Sequence, residues 1–124
     1  MTLSEYLQTR PVAGPAACGL FISGWVKAKR GVDPLPRGKW MTADDVQRVF
    51  DGYGGLALAV ARHLRKAGLR MTREPKAGDV GLVVVGARVC CAIRTQAGWM
   101  IRLEDGAVWW GRDPVGRVLA AWSV

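Results

Sequence analysis

Cysteine is the side chain in this sequence best suited to chemistry, and Cys18 has the most telling surroundings. In the stretch Ala16–Lys29, AACGLFISGWVKAK, the residues Cys18, Phe21, Ile22 and Trp25 fall at i, i+3, i+4 and i+7. That spacing predicts an amphipathic helix with those four on one face. Pro15 stands just before it, where a helix tolerates proline. Cys18 is then in the first turn, where unpaired N–H groups and the helix dipole stabilise a thiolate. Two readings stay open: a nucleophile, or a small apolar core residue.

The other candidates are fewer. His63, the lone histidine, lies beside Arg62 and near Arg65 and Lys66. It is either a base for Cys18 or a histidine at a helix end. Cys90 and Cys91 are neighbours in an apolar run, so a strand would point them to opposite faces. With no CxxC pair and one histidine, no metal site is expected. No motif in the chain implies a cofactor. Trp109 and Trp110 are adjacent in a β-type run, so one must face away from the core. Flanked by Arg112 and Arg117, an exposed tryptophan there would suit a protein interface or a sugar ring.

The elements that must position these residues follow a simple grammar. Thr2 and Glu5 form a T-x-x-E capping box, with Leu3, Tyr6 and Leu7 as one apolar stripe. The Cys18 helix stops near Gly31, and 31–39, with Pro34, Pro36 and Gly38, reads as a loop anchored by Trp40. Thr42 and Asp45 approximate a second capping box for a third helix with Val46, Val49 and Phe50 inward. A fourth helix runs from about Gly55 to Ala67, with Leu56, Val60, Leu64 and Ala67 inward and Gly68 as its stop. Residues 69–77 read as a basic connection. Five β-type runs follow, 80–85, 88–94, 99–103, 107–110 and 117–123, separated by turns. Helices first and strands after predict an α+β fold, with N-terminal helices packed on a C-terminal antiparallel β-meander of about five strands.

The totals bound the class of protein. A chain of 124 residues, half of them hydrophobic, forms one globular domain, 1–124. No apolar run approaches the roughly 20 residues of a membrane span, and the first ten residues do not resemble a signal peptide. Synthesis and folding in a cytoplasm are therefore expected. Three cysteines without an export signal argue against a disulfide framework. The net charge of +8 suggests an acidic partner or simply solvated helix faces. A nucleic-acid partner would rest on charge alone, without the basic-aromatic pattern of such proteins.

The ordered set of short motifs resembles the NlpC-type papain-like cysteine peptidases, and more closely the small branch found among the tail genes of phages and prophages. Ala17-Cys18-Gly19-Leu20-Phe21 with Trp25 is similar to the nucleophile-helix motif. Gly31-Val32-Asp33-Pro34 resembles the loop after it, and Gly54-Gly55 the diglycine before the next helix. Gly78-Asp79-Val80 matches the turn that opens the sheet, and Ala120-Ala121-Trp122-Ser123-Val124 resembles the terminal Ala-Trp strand. The resemblance implies a cysteine that attacks a peptide carbonyl, a histidine base opening the second core strand, and an orienting residue on the next strand, with peptidoglycan stem peptides as substrate.

The chain departs from that pattern at the base. The strand in question is Arg88-Val89-Cys90-Cys91-Ala92-Ile93 and holds no histidine; the orienting position falls near Trp99-Met100-Ile101-Arg102; and Ala17 stands where an aspartate is usual. Without a base, the leaving amine has no general acid. The expectation is thus a tail-associated structural or assembly protein with a degenerate peptidase-like fold. It would reside in the virion tail and bind other tail or tail-tip proteins, or peptidoglycan. The alternative is a peptidoglycan cysteine peptidase or amidase using Cys18.

Overall fold

The structure, a computed structural model, describes residues 1–8, 17–34, 55–86, 88–102, 108–112 and 117–124. Of residues 17, 18, 56, 88, 108–112 and 117 it describes the backbone only. The expected third helix, the Trp40 anchor and Gly54 lie outside the described residues.

Three helices precede the sheet in the described chain. Helix α1 spans Leu3–Leu7, and its capping box is formed: the Thr2 hydroxyl accepts from the Glu5 amide at 3.1 Å, and the Glu5 carboxylate accepts from the Thr2 amide at 3.3 Å. Helix α2 spans Ala17–Arg30 and buries Phe21, Ile22, Trp25 and Val26. It ends at Gly31, whose φ of +74° favours glycine and whose amide donates to the Lys27 carbonyl at 2.8 Å. Helix α3 spans Leu56–Lys66 and buries Ala59, Val60 and Leu64. Its end is a Schellman motif. The Leu69 amide donates to Leu64 at 3.1 Å, the Gly68 amide to Arg65 at 3.0 Å, and Gly68 takes φ +87°. Leu69 and Leu64 are buried in the same cluster, as that motif favours.

Among the described residues, six strands form one antiparallel sheet: β1 (Arg70–Met71), β2 (Val80–Val85), β3 (Arg88–Arg94), β4 (Gly98–Arg102), β5 (Val108–Arg112) and β6 (Arg117–Ser123), in the order β1-β6-β2-β3-β4-β5. The α+β expectation holds, with two corrections. Residues 70–71, expected as connection, form a sixth strand on the edge beside β6, where Arg70 pairs with Ser123 and Met71 with Trp122. The meander covers only β2 to β5, and β6 returns to pair with β2. Two-residue strands carry no periodicity, and a return crossing depends on long-range pairing, so neither leaves a local signal.

The return crossing constrains the shape. Arg112 pairs with Gly98 at one end of the sheet, whereas Arg117 pairs with Val84 near the other. In a flat sheet those two positions would lie on the order of 27 Å apart, against roughly 17 Å that the intervening link can span when extended. The sheet must therefore coil.

Side chains on the two faces of the sheet form separate cores. The helix-side cluster joins Phe21, Ile22, Trp25, Val26, Val60, Leu64 and Leu69 to Val80, Leu82, Cys91, Ile93 and Trp122. The other face gathers Val83, Cys90, Ala92, Trp99, Ile101 and Ala121. Cys90 and Cys91 thus face opposite ways, as strand alternation requires. Gly81 pairs with Ala92 on one side and Ala121 on the other, so three small residues lie side by side across the strands. The Trp99 ring lies over Gly81. A face bedded with small residues is the one that fits inside a coiled sheet.

A Cβ added at Gly81 would stand 2.8 Å from Trp99 Cη2 and 2.9 Å from the Ala120 carbonyl oxygen. Gly81→Ala is expected to lower unfolding stability by about 2 kcal/mol, the cost of overpacking against backbone that cannot retreat. Denaturant unfolding checks this, and a change below about 0.5 kcal/mol would contradict the packing of Trp99 on Gly81.

Candidate functional site

The backbone puts Cys18 at the second residue of α2, the first turn, as the spacing predicted. The strand on which the resemblance expects a base holds none. Strand β3 begins Arg88-Val89 and runs into the two buried cysteines, which face separate cores. His63, half-buried in the last turn of α3, donates its Nδ1–H to the Ala59 carbonyl of its own helix at 2.6 Å. That fixes the ring along the helix.

On β4, Arg102 occupies the region where the resemblance places an orienting residue. It is 5% exposed. One Nη donates to the Leu7 carbonyl at 3.3 Å, and the guanidinium lies 5.0 Å from the centre of the Phe21 ring. Its Nε has no hydrogen-bond partner among the described residues. Arg102 therefore clamps α1 and α2 to β4; a guanidinium does not act as a base. Among the described residues no group of three His, Cys, Asp or Glu side chains could hold a metal ion.

Trp109 and Trp110 sit in β5, paired with Ile101 and Met100, and Arg112 and Arg117 are the end residues of β5 and β6. The surface role expected of these four turns on side chains outside the described ones.

The Gly78-Asp79 turn joins α2 to the sheet. Trp25, buried at 2% exposure, donates its indole N–H to the Gly78 carbonyl at 2.6 Å. Gly78, at φ +98°, donates its amide to Arg94 at 2.9 Å, and Arg94 returns one to the Asp79 carbonyl at 2.8 Å. The Asp79 carboxylate accepts from the Lys76 amide at 2.8 Å and from the Val124 amide at 3.1 Å. The Tyr6 hydroxyl donates to the Phe21 carbonyl, and its ring packs against Phe21 and Trp25. Ser23, fully buried, donates to Asp33 at 2.6 Å and pins the loop after α2. So the Gly-Asp turn and the post-helix Asp, two of the motifs behind the resemblance, hold structure together here.

A second feature has no counterpart in the sequence reading. An open apolar cavity of about 650 Å³ lies between α3 and the β1–β6 edge. Its floor includes Ala57, Ala61, Leu69, Leu82, Ala120 and Trp122. Three arginines, Arg62, Arg65 and Arg70, also line it, with no acidic residue among the described ones. Leu58, Met71 and Leu119 line it while remaining 56%, 68% and 38% exposed. Adjacent strand residues normally point to opposite faces, yet Leu119 and Ala120 both line this cavity. The cause is a β-bulge. Leu82 pairs with Ala120 and Val83 with Val118, so Leu119 is the unpaired extra residue, re-aimed into the groove. Leu58 carried a sequence signal, being apolar yet off the inward stripe of α3; the bulge and β1 carried none.

The fold is thus an α+β domain with a coiled antiparallel sheet under a central helix. The whole chain, residues 1–124, matches the family described as Domain of unknown function (DUF6950), and the chain belongs to that family. No curated protein and no solved structure matches it.

Trp25→Phe keeps the ring but removes the N–H that satisfies the Gly78 carbonyl. A loss of about 1–2 kcal/mol in unfolding stability is expected, the usual consequence of orphaning a part-buried acceptor. Equilibrium unfolding of the variant measures it, and a neutral result would show that the turn does not depend on the indole.

Proposed function

We propose that the protein is a tail-associated component of a phage, prophage or phage-like particle that acts by binding other tail or tail-tip proteins, on a peptidase-like frame without a catalytic base. The observation that carries this reading is the sequence of β3. The strand from which the resemblance expects a base opens with Arg88-Val89 and holds no histidine from Arg88 to Arg94. The tail setting comes from the resemblance. The exposed apolar groove supports a binding role, since contiguous apolar surface on a folded chain marks interaction sites.

A second reading has one observation in its favour: Cys18 lies in the first turn of α2, where a thiolate is stabilised. In that reading Cys18 cleaves a peptidoglycan peptide bond.

Incubation of purified protein with peptidoglycan, alongside Cys18→Ala, separates the two. The expected result is no release of stem peptides by either protein, with the wild type recovered in washed particles or in tail assembly intermediates. Peptides released by the wild type and not by Cys18→Ala would establish the hydrolase. Absence from both particles and assembly intermediates would refute the tail role.

A further inference from the structure

We infer that the groove between α3 and the β1–β6 edge receives an acidic amphipathic helix of a partner protein. This rests on the reading of the chain as a binding protein and names the chemistry of the partner.

Helix α3 has two apolar faces. One, with Val60 and Leu64, is fully buried in the core. The other carries Ala57, Leu58 and Ala61, followed by Arg62 and Arg65 at i+4 and i+7 from Leu58, and it lines the groove. Ala57 and Ala61 are one turn apart. Small residues at that spacing let a second helix approach closely, within the usual interaxial distance of about 8–10 Å. Across from them lie Trp122 and Ala120 of β6, the re-aimed Leu119, and Met71 on the edge strand. Methionine and leucine, held out at the rim, adapt to the side chains of an incoming apolar face.

Charge selects the sign of the partner. Among the described residues, three arginines and no carboxylate line the groove, on a chain of net charge +8. A helix with an apolar face flanked by Asp or Glu places its carboxylates against those guanidinium groups, which bind them bidentately. A second copy of this chain fits poorly. A two-fold contact would set the patch against itself, arginine rim on arginine rim. The one-per-turn alanines favour a helix over an acyl chain, which needs no such spacing.

The test uses the full chain and a displayed library of helical peptides with randomised apolar and flanking positions. Selected peptides are then measured against the wild type, the groove variant Leu58→Glu/Met71→Glu and the rim variant Arg62→Glu/Arg65→Glu. All four positions are exposed, and circular dichroism confirms that the variants fold. The expected peptides carry an apolar face flanked by Asp and Glu. They bind at about micromolar strength and weaken about tenfold or more in each variant and at high salt. Several results would overturn the inference: selected peptides without acidic bias, no peptide selected, dodecanoate binding the groove in place of peptides, or concentration-dependent dimers lost in the groove variant. Acidic peptides that bind both variants as tightly as the wild type would also overturn the groove assignment, yet leave the binding reading standing. Stem-peptide release by the wild type would remove that reading independently.

Discussion

One hydrogen bond, from the Trp25 indole to the Gly78 carbonyl at 2.6 Å, ties the central helix to the turn that opens the sheet. The indole ring packs in the helix-side core, and its buried N–H needs a partner. The Gly78 carbonyl supplies it because Gly78 adopts φ +98°, a conformation that favours glycine. The same turn pairs with Arg94 at the end of β3 and presents the Asp79 carboxylate to the amides of Lys76 and Val124. Helix α2, strands β2 and β3 and the last residue of the chain are thereby held at one point. Tyr6 fixes α1 to the same place from above, through Phe21.

Much of this was legible in the sequence, because its causes are local. Thr2 and Glu5 specify a cap three residues apart; Gly31 and Gly68 stop helices by positive φ; and alternation sends Cys90 and Cys91 to different cores. Trp25 lies on the apolar face that its helical spacing predicts, and it is buried. What was not legible depends on pairing between distant segments. Edge strand β1 has two residues and exists because β6 lies beside it. The return of β6 to β2, and the bulge at Leu119, are properties of the sheet rather than of the β6 sequence alone. Of the candidate site, the placement of Cys18 in the first turn of α2 was legible, and the groove was not, since its walls come from α3, β1, β2 and β6.

The motifs that make the chain resemble a peptidase divide into two kinds. Those that build the frame are present and have structural roles: the central helix, the Asp33 loop held by Ser23, and the Gly78-Asp79 turn. The residues that the resemblance ties to the chemistry are not on the strands where it places them: β3 holds no histidine. The region near Trp99–Arg102, where it places an orienting residue, ends in buried Arg102, which ties Leu7 and Phe21 to β4. A buried guanidinium adds positive charge without offering an acceptor. An arginine-lined apolar groove lies between α3 and the β1–β6 edge, and Cys18 is not among the residues that line it.

In the proposed reading, Cys18 in the first turn of α2 acts without an imidazole partner. The rate of Cys18 alkylation by iodoacetamide as a function of pH tests this most directly, measured with wild type and Cys18→Ser so that other thiols are subtracted. A lone thiol gives a rate that follows a single ionisation. A thiolate–imidazolium pair gives two, with a reactive plateau on the acidic side. The expected result is the single ionisation; an acidic plateau abolished by His63→Ala would refute the proposed reading.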